Sequence, residues 1–247
     1  MKGAFRTRAL VLRCTDFSET SQIIRVFTRD QGVLDMLAKG SRRPARASSS
    51  FPSPFDLAGW YDLNYRVRGS DLHLATEARL VEGFDHLRRD LAAWLDATFA
   101  LDLLRNFFTQ GDPHPELLRE VLQYLKLLGY DQGRRRLRNR FLQAVLQANG
   151  VLPRWDRCSE CEIEIAGEAF LQIPSGLLCR SCTGSTENPF LDQSTRAYLA
   201  ADCGREWGLV PSWEVPSREV ELGWNLLRSL LVHHLERPPR SLRYLRV

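Results

Sequence analysis

Two cysteine pairs constrain this chain more than any other feature. Cys158-Ser-Glu-Cys161 and Cys179-Arg-Ser-Cys182 are C-x-x-C knuckles with 17 residues between them. That spacing matches a four-cysteine zinc site. Each knuckle turns two thiolates to one side, and the intervening stretch is long enough to fold back as a hairpin. Four thiolates fill zinc's tetrahedral shell and leave no position for water or substrate, so the expected role of one zinc ion is structural, not catalytic. Redox motifs and metal-free relic knuckles are the alternative readings. Cys14 and Cys203 are expected to be small buried residues.

The compartment bears on that reading. No run of the sequence approaches the ~18 apolar residues that cross a bilayer. The opening Met1-Lys2-Gly3-Ala4-Phe5-Arg6 has no apolar signal core. A cytoplasmic protein is therefore expected, without a membrane partner and without disulfides.

Charge is unevenly distributed. Residues 1–80 carry 13 Lys and Arg against 8 Asp and Glu, whereas residues 150–190 carry 3 against 6. A polyanion is expected to meet the first region and to avoid the acidic cysteine segment.

Short β-rich runs punctuate residues 4–80: Ala9–Leu12, Gln22–Thr28, Val33–Leu37, Trp60–Val67 and Leu72–Thr76. Five or six short strands in such a length suit a small barrel, with the OB-fold the natural candidate. Trp60, Tyr61 and Tyr65 are read as barrel core in preference to base-stacking residues. Residues 40–54 are rich in Gly, Ser and Pro and are read as a mobile loop carrying Arg42, Arg43 and Arg46 just after Lys39.

From about residue 81 the period becomes helical, with Leu87, Leu91, Leu95, Phe99, Leu103 and Phe107 recurring every four residues. Pro115 opens a second helix that closes near Gly129. A third is predicted over 134–148, with Leu137, Phe141, Val145 and Ala148 as its apolar face. Arg134, Arg135, Arg136, Arg138 and Arg140 crowd the start of that helix, against its dipole and against each other. Stability alone does not explain them, so they are read as a partner-docking or second DNA surface, with pairing inside the domain as the alternative. Asp192 and Ser217 are the expected caps of two later helices. The fold class expected is α+β and multidomain: an OB barrel over 1–80, a helical domain over 81–149 and 191–247, and a zinc module over 150–190 inserted between its halves.

No phosphate-binding G-x-x-x-x-G-K-[ST] and no H-E-x-x-H occurs, and the five histidines are scattered. No catalytic set stands out, and the chain is not read as an enzyme. A zinc-bearing nucleic-acid-modifying enzyme, such as a glycosylase or nuclease, is the main alternative, and a sequence-specific regulator is a third.

The residues resemble one known family. The pattern Asp16-Phe-Ser-Glu19, Val26-Phe-Thr-Arg-Asp-Gln-Gly32 and Ala38-Lys-Gly-Ser-Arg-Arg43, then Leu74-Ala-Thr-Glu77 and Asn149-Gly-Val-Leu-Pro153 before the first knuckle, is similar to the RecO recombination mediators of bacteria. The likeness spans essentially the whole chain. It implies an OB domain, a helical domain and a zinc module. It also implies binding of single- and double-stranded DNA, strand annealing, help to RecA in recombinational repair at the nucleoid, and partnership with RecR and with the tail of single-stranded DNA-binding protein. Lys39, Arg42 and Arg43 match the family's basic motif and are its implied DNA contacts, and Arg46 extends the set. Ser41 stands where the family often has alanine.

Overall fold

The computed structural model describes residues 3–44, 50–51, 53–68, 71–130, 133–174, 176–184, 190–235 and 237–245. The chain divides into two compact units, residues 1–122 and 123–247.

The first unit is built on a closed five-stranded barrel in the order β1-β2-β3-β5-β4. Its strands are β1 (Ala4–Ser18), β2 (Ser21–Thr28), β3 (Gly32–Ala38), β4 (Trp60–Arg66) and β5 (Leu72–Glu82). All neighbours are antiparallel except β3 and β5. This is the five-stranded OB-type architecture. The core follows from alternation along the strands. Ala9 and Val11 of β1, Ile24 and Val26 of β2, Leu34 and Met36 of β3, and Tyr61, Leu63 and Tyr65 of β4 all point inward. Tyr61 and Tyr65 are therefore barrel core, and Trp60 is buried as well.

Of the loop expected over 40–54, residues 45–49 and 52 lie outside the described residues; Phe51 within it and Phe55 just after it are held. Phe51 and Phe55 are buried in the barrel core. The Phe55 amide donates to Gln22 Oε1 at 2.9 Å, and Ser41 Oγ donates to the same oxygen at 3.1 Å. Two phenylalanines among the serines and prolines thus anchor the excursion. Gly32, at the β2–β3 turn, has φ +68°, and a Cβ there would lie 2.4 Å from the Thr109 carbonyl oxygen. Only glycine fits both the turn and that approach.

The first helix starts later than its leucine period suggested. Strand β5 runs to Glu82, a 3-10 turn covers Asp85–Arg89, and α1 spans Leu91–Phe107. Asp90 sets the start, because its carboxylate accepts the amides of Ala92 and Ala93 at 2.8 and 3.3 Å. Leu91 is consequently 74% exposed, and the buried side runs through Ala93, Ala97, Ala100 and Leu104. Phe108, just past α1, tilts against Phe27 at 5.6 Å.

Helix α2 (Pro115–Leu127) crosses into the second unit, where Tyr124 stacks on Phe141 at 4.5 Å. Helix α3 (Arg134–Ala148) packs against α4 (Gln193–Cys203) and α5 (Ser217–His234). Asp192 caps α4 through the Thr195 amide at 2.8 Å. Helix α5 is entered from Pro216, and Ser217 is its first helical residue, not its cap. Between α3 and α4 lies a small sheet of β6 (Ala169–Gln172), β7 (Gly176–Leu178) and β8 (Phe190–Leu191), in the order β7-β6-β8. Among the described residues no helix is long and apolar enough to cross a membrane.

Candidate metal centre and nucleic-acid interface

The two knuckles fold alike. In the first, the Glu162 amide donates to the Cys158 carbonyl at 3.0 Å; in the second, the Thr183 amide donates to the Cys179 carbonyl at 3.1 Å. Strands β6 and β7 form the hairpin between them, and the Ser159 amide donates to the Leu177 carbonyl at 2.7 Å, fastening the first knuckle to β7. This brings the Sγ atoms of Cys158, Cys161, Cys179 and Cys182 within 4.8 Å of one another. The Cys161 and Cys179 sulfurs are 3.8 Å apart. A tetrahedron with Zn–S bonds of ~2.3 Å has edges of about 3.8 Å, so the cluster is compatible with a zinc site.

Its electrostatics suit a bound cation. Burial resists ionisation of Cys158, but the backbone amides of Cys161, Cys179 and Glu160 outweigh it and bring that thiol down to about 6. Cys182 is pushed up to about 12, chiefly by its hydrogen bonds to Cys179 and Cys161. Four sulfurs this close cannot all ionise unless a cation sits among them. By contrast, Cys14 is half-buried against the barrel core, and burial raises it to about 12, which leaves an inert thiol.

In the first unit, the turn after β3 meets the β1–β2 hairpin. Arg42 Nη1 lies 3.0 Å from Asp16 Oδ2 and 3.5 Å from the Ser18 carbonyl. Its backbone amide donates to Thr20 at 3.1 Å, and Gly40 N donates to Ser21 Oγ at 3.3 Å. Lys39, Arg42 and Arg43 are all exposed there. Arg46 lies outside the described residues. Between the two residues that hold Arg42 sits Phe17, 61% exposed. The β1–β2 register shifts between Asp16 and Ser18, so Phe17 is the extra residue of a bulge, a device that re-aims a side chain out of the pleat.

The α3 arginines are placed differently from one another. Arg136 donates to the carbonyls of Val210 and Pro211 at 3.2 and 2.6 Å. Arg138 and Arg140 are each 7% exposed. Their guanidiniums lie 5.0 Å from the rings of Trp224 and Trp207 respectively. Leu137, Phe141 and Val145 are fully buried. Three of the five arginines are thus committed inside the unit; Arg135 is exposed and Arg134 is half-buried.

Residues 1–84 match the family model described as Recombination protein O N terminal, and residues 88–243 match Recombination protein O C terminal. The chain belongs to the RecO family. The DNA repair protein RecO of Geobacter metallireducens is 32% identical over 250 residues, covering 98% of this chain and 96% of that protein. Those of Desulforudis audaxviator and Anaeromyxobacter sp. (strain K) are each 29% identical, over 251 and 249 residues, covering 98% and 96% of this chain and 96% and 93% of those proteins. Membership supports a role in recombinational DNA repair.

Within this RecO chain, two of the stretches that carried the resemblance meet. Asp16–Glu19 and Lys39–Arg43 are distant in sequence and share one corner of the barrel. Ser41, the departure from the family's usual alanine, is buried with its hydroxyl on Gln22. Phe17 was missed as a candidate because it was read only as part of a motif. The available signal was an aromatic residue standing in an otherwise polar turn.

The helical unit of this RecO chain also hides a carboxylate. Asp202 is fully buried and accepts from Gln143 Nε2 at 2.8 Å, while Gln143 Oε1 accepts from the Trp155 indole at 2.8 Å. Burial raises Asp202 to about 7, against the pull of Gln143, Arg140 and Arg205. The folded state therefore keeps a proton that the unfolded state releases near pH 4. Stability falls as pH rises from about 4 to about 7, then levels off. Asp202→Asn is expected to melt with wild type near pH 4 and above it at pH 8, by on the order of a few kcal/mol at most. Parallel pH–melting curves check this, and a gain that is already complete at pH 4 is the contrary result.

Proposed function

We propose that this RecO chain is a DNA-binding recombination mediator. It binds single- and double-stranded DNA without reading sequence, anneals complementary strands and helps load RecA at the nucleoid, acting with RecR and with the tail of single-stranded DNA-binding protein. The observation that carries this reading is the barrel corner where Phe17 projects beside Lys39, Arg42 and Arg43. Guanidinium forks suit phosphates, and an exposed ring offers a base a stacking face. Arg46 adjoins the same basic run in sequence. One structural zinc held by Cys158, Cys161, Cys179 and Cys182 clamps the module of residues 150–190, whose acidic balance sets it apart from the basic residues 1–80. Of the α3 cluster, the exposed Arg135, with the half-buried Arg134 next to it, marks the surface for an acidic partner, while Arg136, Arg138 and Arg140 serve the helical unit.

Fluorescence anisotropy with labelled oligonucleotides tests the reading. Wild type should lose affinity steeply with salt. Arg42→Ala with Arg43→Ala should flatten the log–log slope by roughly one to two for either form of DNA. Phe17→Ala should weaken single-strand binding by about 1–3 kcal/mol and leave duplex binding nearly unchanged, because paired bases are not free to stack on it. Equal losses for both forms would remove the stacking role. Unaltered binding in both variants would move the DNA off this corner.

A further inference from the structure

On the barrel wall away from the hairpin, one carboxylate organises three guanidiniums. Asp62 of β4 lies directly across from Arg8 of β1 and from Arg79 of β5. Arg8 Nε donates to Asp62 Oδ1 at 3.1 Å, Arg79 Nη2 donates to Oδ2, and Arg6 Nη2 lies 3.5 Å from Oδ2. The side chains of Arg6, Arg8 and Arg79 remain 73%, 61% and 72% exposed, whereas that of Asp62 is 9% exposed. The acid is thus the buried hub and the cations are its exposed rim. The Arg79 guanidinium hydrogen-bonded to Asp62, with Arg8 beside it, holds the carboxyl below its usual range.

One negative charge cannot neutralise three positive ones. Two further acids lie in the adjoining rows, Glu77, which accepts from Asn64 Nδ2 at 2.8 Å, and Glu82, which accepts from the Phe84 amide at 3.2 Å, while Arg66 adds a fourth exposed cation, so a positive surplus remains. Like charges packed across neighbouring strands lower stability, so a fold gains nothing from keeping the surplus. An anion bound to it would relieve the repulsion. All three partners of Asp62 are arginines, whose flat forks pair bidentately with phosphate. They stand on β1 and β5, the two strands hydrogen-bonded to the β4 that carries Asp62, so little ordering is needed on binding.

We infer that the outer face of β1, β4 and β5 is a second phosphodiester-binding surface, built by Arg6, Arg8 and Arg79 around Asp62, which holds a nucleic-acid backbone and not its bases. This rests on the DNA-binding reading above and extends it to a second place on the barrel. The two outward rows, Arg6–Asn64–Glu77 and Arg8–Asp62–Arg79, carry no ring, and the neighbouring Phe5, 49% exposed, is stacked on the core residue Tyr65 at 5.6 Å. The hairpin corner has an exposed ring, Phe17. Arg8 and Phe17 are nine residues apart along β1, which corresponds to roughly 30 Å of strand. Two separate backbone sites let one barrel hold two stretches of DNA, one with its bases engaged and one with its bases free to pair.

The test compares Arg6→Ala/Arg79→Ala, which leaves Arg8 on Asp62, with wild type and with the Arg42→Ala/Arg43→Ala variant. Salt titrations are run on single-stranded and on duplex oligonucleotides, and annealing of complementary strands is timed. Loss of the rim should lower the log–log slope by roughly one to two and slow annealing, and Arg6→Lys/Arg79→Lys should recover most of the slope. The single- and double-stranded arms show which DNA uses the surface. As a check independent of any variant's folding, DNA added to wild type should protect Arg6 and Arg79 from phenylglyoxal. If the hairpin variant loses affinity while the rim variant keeps its slope and its annealing rate, or if neither arginine is protected, this surface is wrong and the hairpin reading stands. If wild type itself shows no salt-dependent DNA binding, the DNA reading falls and takes this surface with it.

Discussion

Stripping the metal, or replacing Cys158 by serine, is expected to unfold the cysteine module and lower the stability of the helical unit by at least about 4 kcal/mol, the range in which loss of a metal places a protein. In a unit of this size that is roughly 8–16 °C in melting temperature. The expectation follows from how little else holds residues 155–183. Strands β6 and β7 are four and three residues long. The described remainder is two turns whose sulfurs face one another, the Arg157–Glu164 bridge and the buried Trp155 and Ile165. Arg196 ties it to α4 by donating to the carbonyls of Trp155 and Gly167, both at 3.1 Å, but those bonds need the module already formed. Apparent binding of structural zinc contributes roughly 10–16 kcal/mol in zinc-finger peptides at neutral pH, and it fades as thiolates take up protons. Stability should therefore fall as acid releases the metal. Elemental analysis should find one zinc per wild-type chain, lost in parallel with the melting transition on chelation. Salt-dependent DNA affinity of whatever fraction stays folded should change little. A chelated protein that melts as wild type does would show that the sulfurs are not a structural clamp.

Much of this was legible in the chain, and the rest has identifiable physical reasons for being hidden. The barrel strands announced themselves through β-branched and aromatic runs, and α3 occupies the stretch its period marked, 134–148. The cysteine pairs were legible because metal geometry fixes local spacing. The start of α1 was not. The leucine period continued backward through Leu87 and Leu91, but an aspartate cap outweighed it at Leu91, while Leu87, Phe99 and Leu103 of the same period are buried and Ala93, Ala97 and Ala100 join the buried side. Phe51 and Phe55 were masked by the serines and prolines around them, although their destination is the barrel core. The α3 arginines show the limit most sharply. Local periodicity sees only their crowding. Their partners, Trp207 and Trp224, are more than sixty residues further on, and no local pattern links a guanidinium to a ring across that distance.

That last placement makes Arg140→Glu a decisive substitution. Were the arginine run a solvated face, a charge reversal would cost no more than about 0.5 kcal/mol, like most surface changes. Arg140 is instead buried against Trp207, and its Nε donates to the Arg205 carbonyl at 3.4 Å. Reversal removes a desolvated cation–π contact, of about 2 kcal/mol where water is excluded. It also strands a carboxylate in the site, close enough to Asp202 for the native arginine to pull on that group's ionisation. A buried charge left without its partner typically costs about 3–5 kcal/mol. Arg140→Glu is accordingly expected to lower the melting temperature of the zinc-loaded protein by roughly 6–20 °C. Arg135→Glu, on the exposed side of the same turn, should shift it by no more than about 2 °C. Arg140→Lys should fall between, because it keeps the charge and loses the flat face that lies on the indole. Calorimetry of the three variants at one pH separates the cases. Equal, small shifts for Arg140→Glu and Arg135→Glu would mean that Arg140 does not rest on Trp207 in solution, and would return the whole run of five to the surface as a candidate site for an acidic partner.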